Sequence, residues 1–454
     1  MKRFIKWFAV AALAVVAVLA VIYRAVNKAP SADLSQAERV AAIFDDGGCI
    51  SCHSENPDLP FYAGWPVIGK IVKDDVALGY HIFDFTPVKE ALEKGGDISP
   101  VKLAKIEKVV SDGSMPMAKY YLVHWGSSIT KAKRSIVIDW AADQWQQKYG
   151  IAEKIVPIET ISTDPAKVAL GNILFHDTRL SVNNTISCAS CHDLKTAGVD
   201  NEDVSDGVFD LEGGVNAPTV FNSVYNFVQF WDGRAETLAK QAAGPPLNPV
   251  EMGCQSFDEI VAKLVCDKEM VKMFNAIYPE GITEETITDA IAEFEKTLVT
   301  PDSRFDKYLK GDQTAINDQE KAGYDLFLAT GCATCHNGPI LGGQSYELMG
   351  VKADYFAERG KELTNEDNGR FKETQCERDR HRFKTPGLRN VALTWPYYHD
   401  ATRATLEEAV RDMGKYQSGV KLSQAQISDM VAFLNTLTGE FEGQLLTNEN
   451  DINR

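Results

Sequence analysis

Two cysteines separated by two residues and followed directly by a histidine occur three times in the chain. The motifs are Cys49–His53, Cys188–His192 and Cys332–His336. Two thiols at this spacing can bond to the two vinyl groups of one porphyrin, and the adjacent imidazole can bind its iron. Zinc sites would need further paired ligands at metal spacing, which the other three cysteines do not supply. The motifs therefore predict three covalently bound c-type haems.

The predicted haems use six of the nine cysteines. The predicted thioether-forming residues are Cys49, Cys52, Cys188, Cys191, Cys332 and Cys335. The iron ligands that the motifs predict are His53, His192 and His336. Cys254 and Cys266 could form a disulfide in an oxidising compartment, and Cys376 would then stay unpaired.

A loop with two methionines follows the first motif and could supply its second iron ligand. A methionine opposite a histidine raises the reduction potential of the iron and leaves no position for substrate, which suits an electron relay. Met115 is the preferred ligand of the haem at His53, because it precedes a proline in a loop rich in glycine and serine. Met117 is the second choice, and His81 and His124 remain as alternatives.

Length and charge limit the possible functions of the chain. It has 454 residues, which suits about three domains of ordinary size. Its formal net charge of -17 argues against binding to nucleic acid and would attract a basic protein partner.

Residues 1–30 predict a membrane anchor. Lys2, Arg3 and Lys6 precede the apolar run Trp7–Tyr23, which is at the short end of what can cross a bilayer. The positive flank belongs on the cytoplasmic side, so we expect a single-pass inner-membrane protein with all other domains in the periplasm. A cleaved signal peptide is the alternative.

Apolar residues recur at helical spacing along the chain, and no long strand-like alternation occurs. We therefore expect an all-α fold with three cytochrome c-like haem domains in tandem after the transmembrane helix. The predicted divisions are an anchor over 1–30, an N-terminal cytochrome c domain over 31–155, a second haem domain over 156–310 and a third over 311–454.

Residues from about 165 to 440 resemble the bacterial di-haem cytochrome c peroxidases. The stretches that carry the resemblance are Asn216–Thr219, Phe230–Arg234, Val250–Met252, Leu388–Asn390, Thr394–Tyr397 and Ala409–Gly414. With its additional N-terminal haem domain and anchor, the whole chain is similar to the membrane-anchored, tri-haem quinol peroxidases of that family.

The resemblance implies roles for residues around the second motif. Glu251 matches the acid-base carboxylate that takes a proton from one peroxide oxygen and delivers it to the other. Gln241 matches an amide that hydrogen-bonds the bound oxygens. Trp231 matches an aromatic residue between the peroxidatic haem and the relay haem.

The resemblance also implies two kinds of metal ligand in the third part of the chain. Met413 matches the second iron ligand of the haem at His336. Asn216, Thr394 and Pro396 match the ligands of a calcium ion, a set of oxygen donors that suits a hard cation.

One position departs from the family. Many relatives carry a second, distal histidine on the loop before Asn216, and the corresponding position here is Val208. Because no histidine occurs between His192 and His336, we expect the iron at His192 to be open to peroxide in the oxidised protein.

These features predict a periplasmic peroxidase that reduces hydrogen peroxide to water. Electrons would pass from a donor to the haem at His53, to the haem at His336 and through Trp231 to the haem at His192. The expected donor is a membrane quinol, and a soluble cytochrome c is the alternative. A multi-haem electron carrier without enzymatic activity is the competing function.

Overall fold

The structure is a computed structural model that describes residues 2–450, apart from the side chains of residues 2–6, 8, 9 and 122. The chain forms two compact units, Met1–Lys154 and Ile155–Arg454. The predicted domain divisions at residues 30, 155 and 310 stay predictions.

The first unit is helical. Its helices are α1 (Lys2–Val26), α2 (Gln36–Gly47), α3 (Cys49–Cys52), α4 (Ile68–Ile82), α5 (Thr86–Lys94), α6 (Pro100–Asp112) and α7 (Lys131–Tyr149). Phe44 and Trp140 meet edge to face in its core, with ring centroids 6.1 Å apart.

Local signals at both ends of α2 place the first cysteine motif. Ser35 and Glu38 cap the start of the helix reciprocally. Gly48 ends it in the left-handed region, with φ 67°, and a side chain there would collide with the hydroxyl of Tyr120. The chain therefore turns directly into Cys49 and the single turn α3.

The second unit contains shorter helices and long irregular segments. Its helices are α8 (Pro165–Phe175), α9 (Cys188–Cys191), α10 (Leu238–Ala242), α11 (Gly244–Leu247), α12 (Phe257–Leu264), α13 (Lys268–Ile277), α14 (Glu284–Glu295), α15 (Arg304–Leu309), α16 (Asp318–Ala329), α17 (Tyr355–Glu358), α18 (Phe371–Thr374), α19 (Leu406–Asp412) and α20 (Gln424–Asn435). A π-helical turn, Met413–Ser418, continues α19.

Two helix pairs form the centres of its two main hydrophobic cores. α8 packs on α14, and α16 packs on α20. Each crossing has a glycine at the closest approach, because a Cβ on Gly171 would overlap the carbonyl oxygen of Ala290, and one on Gly323 would overlap that of Asp429. Main chains can approach this closely only where one residue lacks a side chain.

Within residues 2–450, four short strands form two antiparallel sheets. They are β1 (Tyr346–Leu348), β2 (Arg382–Lys384), β3 (Glu440–Phe441) and β4 (Gln444–Leu445). β1 pairs with β2, with Tyr346 opposite Lys384, and β3 pairs with β4. The all-α prediction is therefore wrong. These strands have two or three residues each, which is too short for an alternating pattern to show in the sequence.

The predicted transmembrane helix is also wrong. None of the helices in the described part of the chain combines the length and the apolar character that crossing a membrane requires. The apolar run Trp7–Tyr23 is shorter than the about 20 residues that span a bilayer. The predicted single-pass location in the inner membrane is withdrawn with it.

Candidate functional site

Each motif histidine is held by a main-chain carbonyl group. The distances from Nδ1 to the carbonyl oxygen are 2.8 Å from His53 to Gly79, 3.2 Å from His192 to Gly198 and 3.0 Å from His336 to Leu341. A carbonyl oxygen can only accept, so Nδ1 carries the proton and Nε2 keeps its lone pair. Haem-binding histidines are oriented in this way, so the three imidazoles fit an iron ligand role.

The burial of the motifs also fits haem attachment. Burial lowers the pKa of His192 and of His336, which favours the neutral, metal-binding imidazole. Burial raises the pKa of the Cys49 and Cys188 thiols to about 12. All nine cysteines are free of disulfides, and each motif pair lies on one helical turn, so both thiols face the same side.

The carboxyl group of the half-buried residue Glu251 lies near the second motif. Desolvation is the main reason that its pKa is raised, against the lowering effects of Arg234 and a hydrogen bond from Asn248. The Asn248 amide donates to Oε1 at 2.6 Å. Burial, together with the nearby carboxylates of Asp200 and Glu251, raises the pKa of Cys191 to about 11. The charge of Glu251 is thus felt at the second motif.

Two neighbours of Glu251 were not predicted from the sequence. Asn248 holds the carboxyl group directly, and Arg234 contributes a positive charge nearby. The Arg234 guanidinium lies 3.4 Å from the centre of the Phe230 ring and 3.0 Å from the Asp232 carboxylate. A usable signal existed for Asn248, because asparagine before proline is typical of a turn that its side chain stabilises.

The loop before Asn216 is fastened to Glu251 through main-chain atoms. The Val208 amide donates to the Glu251 carbonyl oxygen at 2.8 Å. Val208 is fully buried, whereas the next residue, Phe209, is exposed. Gly207 also lies against the main chain of Val250 and Glu251. The residue that the resemblance matches to the family's distal histidine is therefore a buried apolar residue joined to Glu251 through the main chain.

Trp231 lies on the segment that leads to α10. Its indole Nε1 donates to the carbonyl oxygen of Asn216 at 2.9 Å, and the ring meets Phe383 and His399 edge to face, at 6.5 and 6.3 Å between centroids. Its own carbonyl accepts a hydrogen bond from the Lys384 amide at 2.8 Å. Gln241 is half-buried on α10, which leads through α11 to Asn248.

Met413 begins the π-helical turn that follows α19. The hydroxyl of Ser418, at the other end of this turn, partly offsets the rise that burial causes in the pKa of the Cys332 thiol. The turn therefore lies beside the third motif. π-helical turns often occur at functional sites, and this one carries the predicted ligand.

The methionine loop of the first unit lies beside its motif. The ring of Pro116 would be 4.0 Å from a Cβ on Gly47, next to Cys49. His124 has both ring nitrogens in hydrogen bonds, with Tyr62 at 3.0 Å and with the Tyr120 carbonyl at 3.2 Å. Met115 and Met117 are both half-buried, so the choice between them stays a prediction.

Comparison with known proteins identifies the family. The profile of di-haem cytochrome c peroxidase matches residues 165–314, that of a haem-binding domain matches 12–143, and that of cytochrome c matches 320–438. Cytochrome c peroxidase Ccp of Escherichia coli K12 is 46% identical over 417 residues, which cover 90% of this chain and 89% of that protein. The chain belongs to the di-haem cytochrome c peroxidase family.

Other relatives match about two thirds of this chain. Cytochrome c551 peroxidase of Nitrosomonas europaea is 47% identical and covers 63% of this chain and 85% of its own. The crystal structure of a MauG-like protein associated with microbial copper homeostasis superposes with a TM-score of 0.56 at 30% identity, over 63% of this chain and 95% of that one. The family confirms haem c as the cofactor type.

The predicted calcium ligands lie next to the loop that contains Asn201 and Glu202. Asn216 donates to the Glu202 carbonyl oxygen at 2.9 Å through its side-chain amide. The neighbouring residue Asn201 donates to the carbonyl oxygen of Trp395 at 2.6 Å, between Thr394 and Pro396. Carbonyl and side-chain oxygens suit calcium, and the site stays a prediction.

A second group of possible metal ligands is already paired with the guanidinium of an arginine. Asp367, His399 and Asp400 are close enough to share a metal ion. The Arg359 guanidinium lies between them, at 2.5 Å from Asp367 and 2.6 Å from Asp400. The His399 Nε2 is 2.8 Å from the Asp367 carboxylate. We interpret this group as a buried ion network, which we call the Arg359 cluster.

Proposed function

We propose that the chain reduces hydrogen peroxide to two waters in the periplasm, using two electrons and two protons. The reaction site is the haem attached through Cys188 and Cys191, with His192 as its ligand. A haem there supplies an iron that binds peroxide and passes electrons to it. The observation that carries the proposal is the half-buried Glu251 near this motif, whose carboxyl group is held at Oε1 by Asn248 and has a raised pKa.

The roles of the side chains follow from this arrangement. With Oε1 engaged by Asn248, the Oε2 atom of Glu251 takes a proton from the near peroxide oxygen and returns it to the far one. Gln241 orients the peroxide by a hydrogen bond. The apolar Val208 excludes a competing ligand from the same space.

We further propose three haems and a fixed order of electron transfer. With haem bound at all three motifs, electrons would enter next to His53, pass to the group next to His336 and reach the reaction site through Trp231. Met115 and Met413 would serve as the second ligands in the first and third motifs, and a thioether ligand there would exclude substrate and raise the reduction potential. The haem-binding profile over residues 12–143 supports a haem in the first unit. A calcium ion at Asn216, Thr394 and Pro396 completes the proposed cofactors.

The proposed electron donor differs from the one that the sequence predicted. A quinol was expected because of the membrane anchor, and that motivation no longer exists. Relatives named cytochrome c551 peroxidase support the alternative, a small cytochrome c. The net charge of -17 would attract a basic one. We propose a cytochrome c as donor, and a quinol-driven rate that exceeds the cytochrome-driven rate would reverse this choice.

A substitution of the carboxyl group tests the reaction. In Glu251→Gln, peroxide-dependent oxidation of a reduced dye is expected to fall about a hundredfold or more, because the amide cannot accept the proton. Haem content should equal that of the wild type. The control is Glu236→Gln, an exposed carboxylate paired only with Lys240. Turnover within a few fold of wild type in Glu251→Gln would remove Glu251 from the mechanism.

A further inference from the structure

Lys384 is a buried residue whose ammonium group has no partner among the residues that the structure describes. The residue is 5% exposed at the end of β2. Among the described residues, no side chain or carbonyl oxygen forms a hydrogen bond or ion pair with its Nζ. Burial lowers the pKa of Lys384 to about 8, and no neighbouring charge contributes to this shift. The amine is therefore still protonated at neutral pH.

The other buried cations that the structure describes have protein partners. Three form ion pairs, Lys133 with Asp46 at 2.7 Å, Arg359 with Asp367 at 2.5 Å and Arg389 with Asp306 at 2.7 Å. The fourth, Arg382, donates its Nε to the carbonyl oxygen of Arg378 at 2.9 Å. A buried charge without a partner is strongly unfavourable. Lys384 departs from this pattern among the described residues, which indicates that its partner is not a protein group.

The position of Lys384 indicates which group that is. The segment after Lys384 pairs with the segment after the third motif, through Thr385 with Gly343 at 2.8 Å and Leu388 with Ile340 at 2.9 Å. His336 is anchored to Leu341 in that same segment, and the Pro386 carbonyl also faces its ring. Lys384 thus borders the pocket that holds the haem of His336.

We propose that Lys384 forms an ion pair with a propionate carboxylate of the haem attached at Cys332 and Cys335. The propionates are the only anionic groups of a c-type haem outside its iron centre, so they are the matching partner for a buried ammonium. The ammonium offsets the negative charge of the propionate near the relay iron. A positive charge favours the ferrous state, so Lys384 raises the reduction potential of this haem.

A redox titration of the holoprotein tests this proposal. In Lys384→Met the ferrous-to-ferric ratio of the His336 haem at a fixed applied potential should fall about tenfold, which is about 59 mV for a one-electron couple. Lys384→Arg keeps the charge and should change the ratio less than about twofold. Lys310→Met removes an exposed lysine of the same unit and should leave the ratio unchanged.

Two outcomes would overturn the proposal. An unchanged potential in Lys384→Met with full haem content excludes the ion pair, and a shift confined to the His192 haem excludes its assignment to the relay haem. If Lys384→Met does not retain haem, a crystal structure of the wild-type holoprotein decides. Nζ should lie within about 3.2 Å of a propionate oxygen, and a separation beyond hydrogen-bonding distance overturns the pair.

The proposal depends on the haem at His336 but not on peroxide turnover. A haem count on the wild-type protein and the potential of the relay haem therefore test it separately from the proposed peroxidase activity.

Discussion

At the scale of single residues, the proposed chemistry depends on how Glu251 is held. Burial raises the pKa of its carboxyl group, which favours the protonated form. Asn248 works in the opposite direction, because its hydrogen bond stabilises the carboxylate. The pKa of the proposed acid-base group is therefore tuned by a neighbouring side chain.

The pH dependence of turnover should report this tuning. Glu251 must be ionised to take the first proton. We therefore expect kcat/KM to be low at pH values below its raised pKa and to rise as the pH increases through that pKa. Asn248→Ala removes a bond that lowers the pKa, so the acid limb should move to higher pH and kcat/KM on that limb should drop by about tenfold. Asn183→Ala, which removes an acceptor of the Thr185 hydroxyl, is the control. An unmoved acid limb in Asn248→Ala would contradict the tuning role.

The second expectation at this scale concerns Val208. Because Val208 cannot bind iron, the oxidised wild-type protein should show a high-spin ferric signal in electron paramagnetic resonance that cyanide converts to low spin. Val208→His should abolish most of that signal by supplying a ligand. Phe209→His introduces the same group at an exposed position and should leave the signal intact. Three low-spin haems in the wild type would contradict the open site.

At the scale of secondary structure, the two main helix pairs of the second unit each depend on a glycine where the helices cross. Gly171 and Gly323 allow α8 and α16 to contact the main chain of α14 and α20. In both pairs a phenylalanine, Phe294 or Phe433, lies against the glycine. α8 precedes the second motif and α16 precedes the third, so the packing of these two helices helps to set where the motifs lie.

A methyl group at such a crossing should be costly. Gly323→Ala would place a Cβ against the Asp429 carbonyl oxygen, and we expect a loss of ~1–3 kcal/mol or more in the free energy of unfolding. Chemical denaturation of the holoprotein measures it. Gly213→Ala is the matched control, because the nearest atom to its Cβ would be the Ser205 carbonyl oxygen at 3.5 Å. Equal stability of the two variants would show that the crossing can relax.

At the scale of the whole molecule, each of the two units has its own hydrophobic core. The profile of the di-haem peroxidases falls within the second unit, and that of a haem-binding domain falls within the first. This division suggests separate tasks for the units. The second unit would perform the reaction and the first would receive electrons.

Removing the first unit tests that division. A chain of residues 155–454 should bind two haems and oxidise a reduced dye with peroxide at a rate within about threefold of the full chain, because its cores are self-contained. Turnover with reduced cytochrome c should fall at least about tenfold, since the proposed entry haem is missing. Full cytochrome-driven turnover in the short chain would show that electrons enter elsewhere.

The sequence predicted the parts of this protein that depend on spacing. The Cys-x-x-Cys-His motifs need only local order, and the family confirms haem c as the cofactor type. Glu251 was predicted from the family resemblance, and its role stays a prediction. Pairing of Tyr346 with Lys384 joins distant three-residue strands, which no periodicity marks. The anchor failed because hydropathy near the lower length limit does not decide between a span and another helix. Asn248 was missed because its role depends on a side-chain contact.

The Arg359 cluster has a consequence for the direction in which charge moves. It sets two carboxylates against one guanidinium, and its His399 ring lies beside the Trp231 indole. If electrons cross at Trp231, as we propose, the indole must briefly be either one electron short or one electron rich. Surplus negative charge nearby lowers the energy of a positive ring and raises that of a negative one. The indole is therefore suited to give an electron to the reaction site first and to be refilled from the relay haem afterwards.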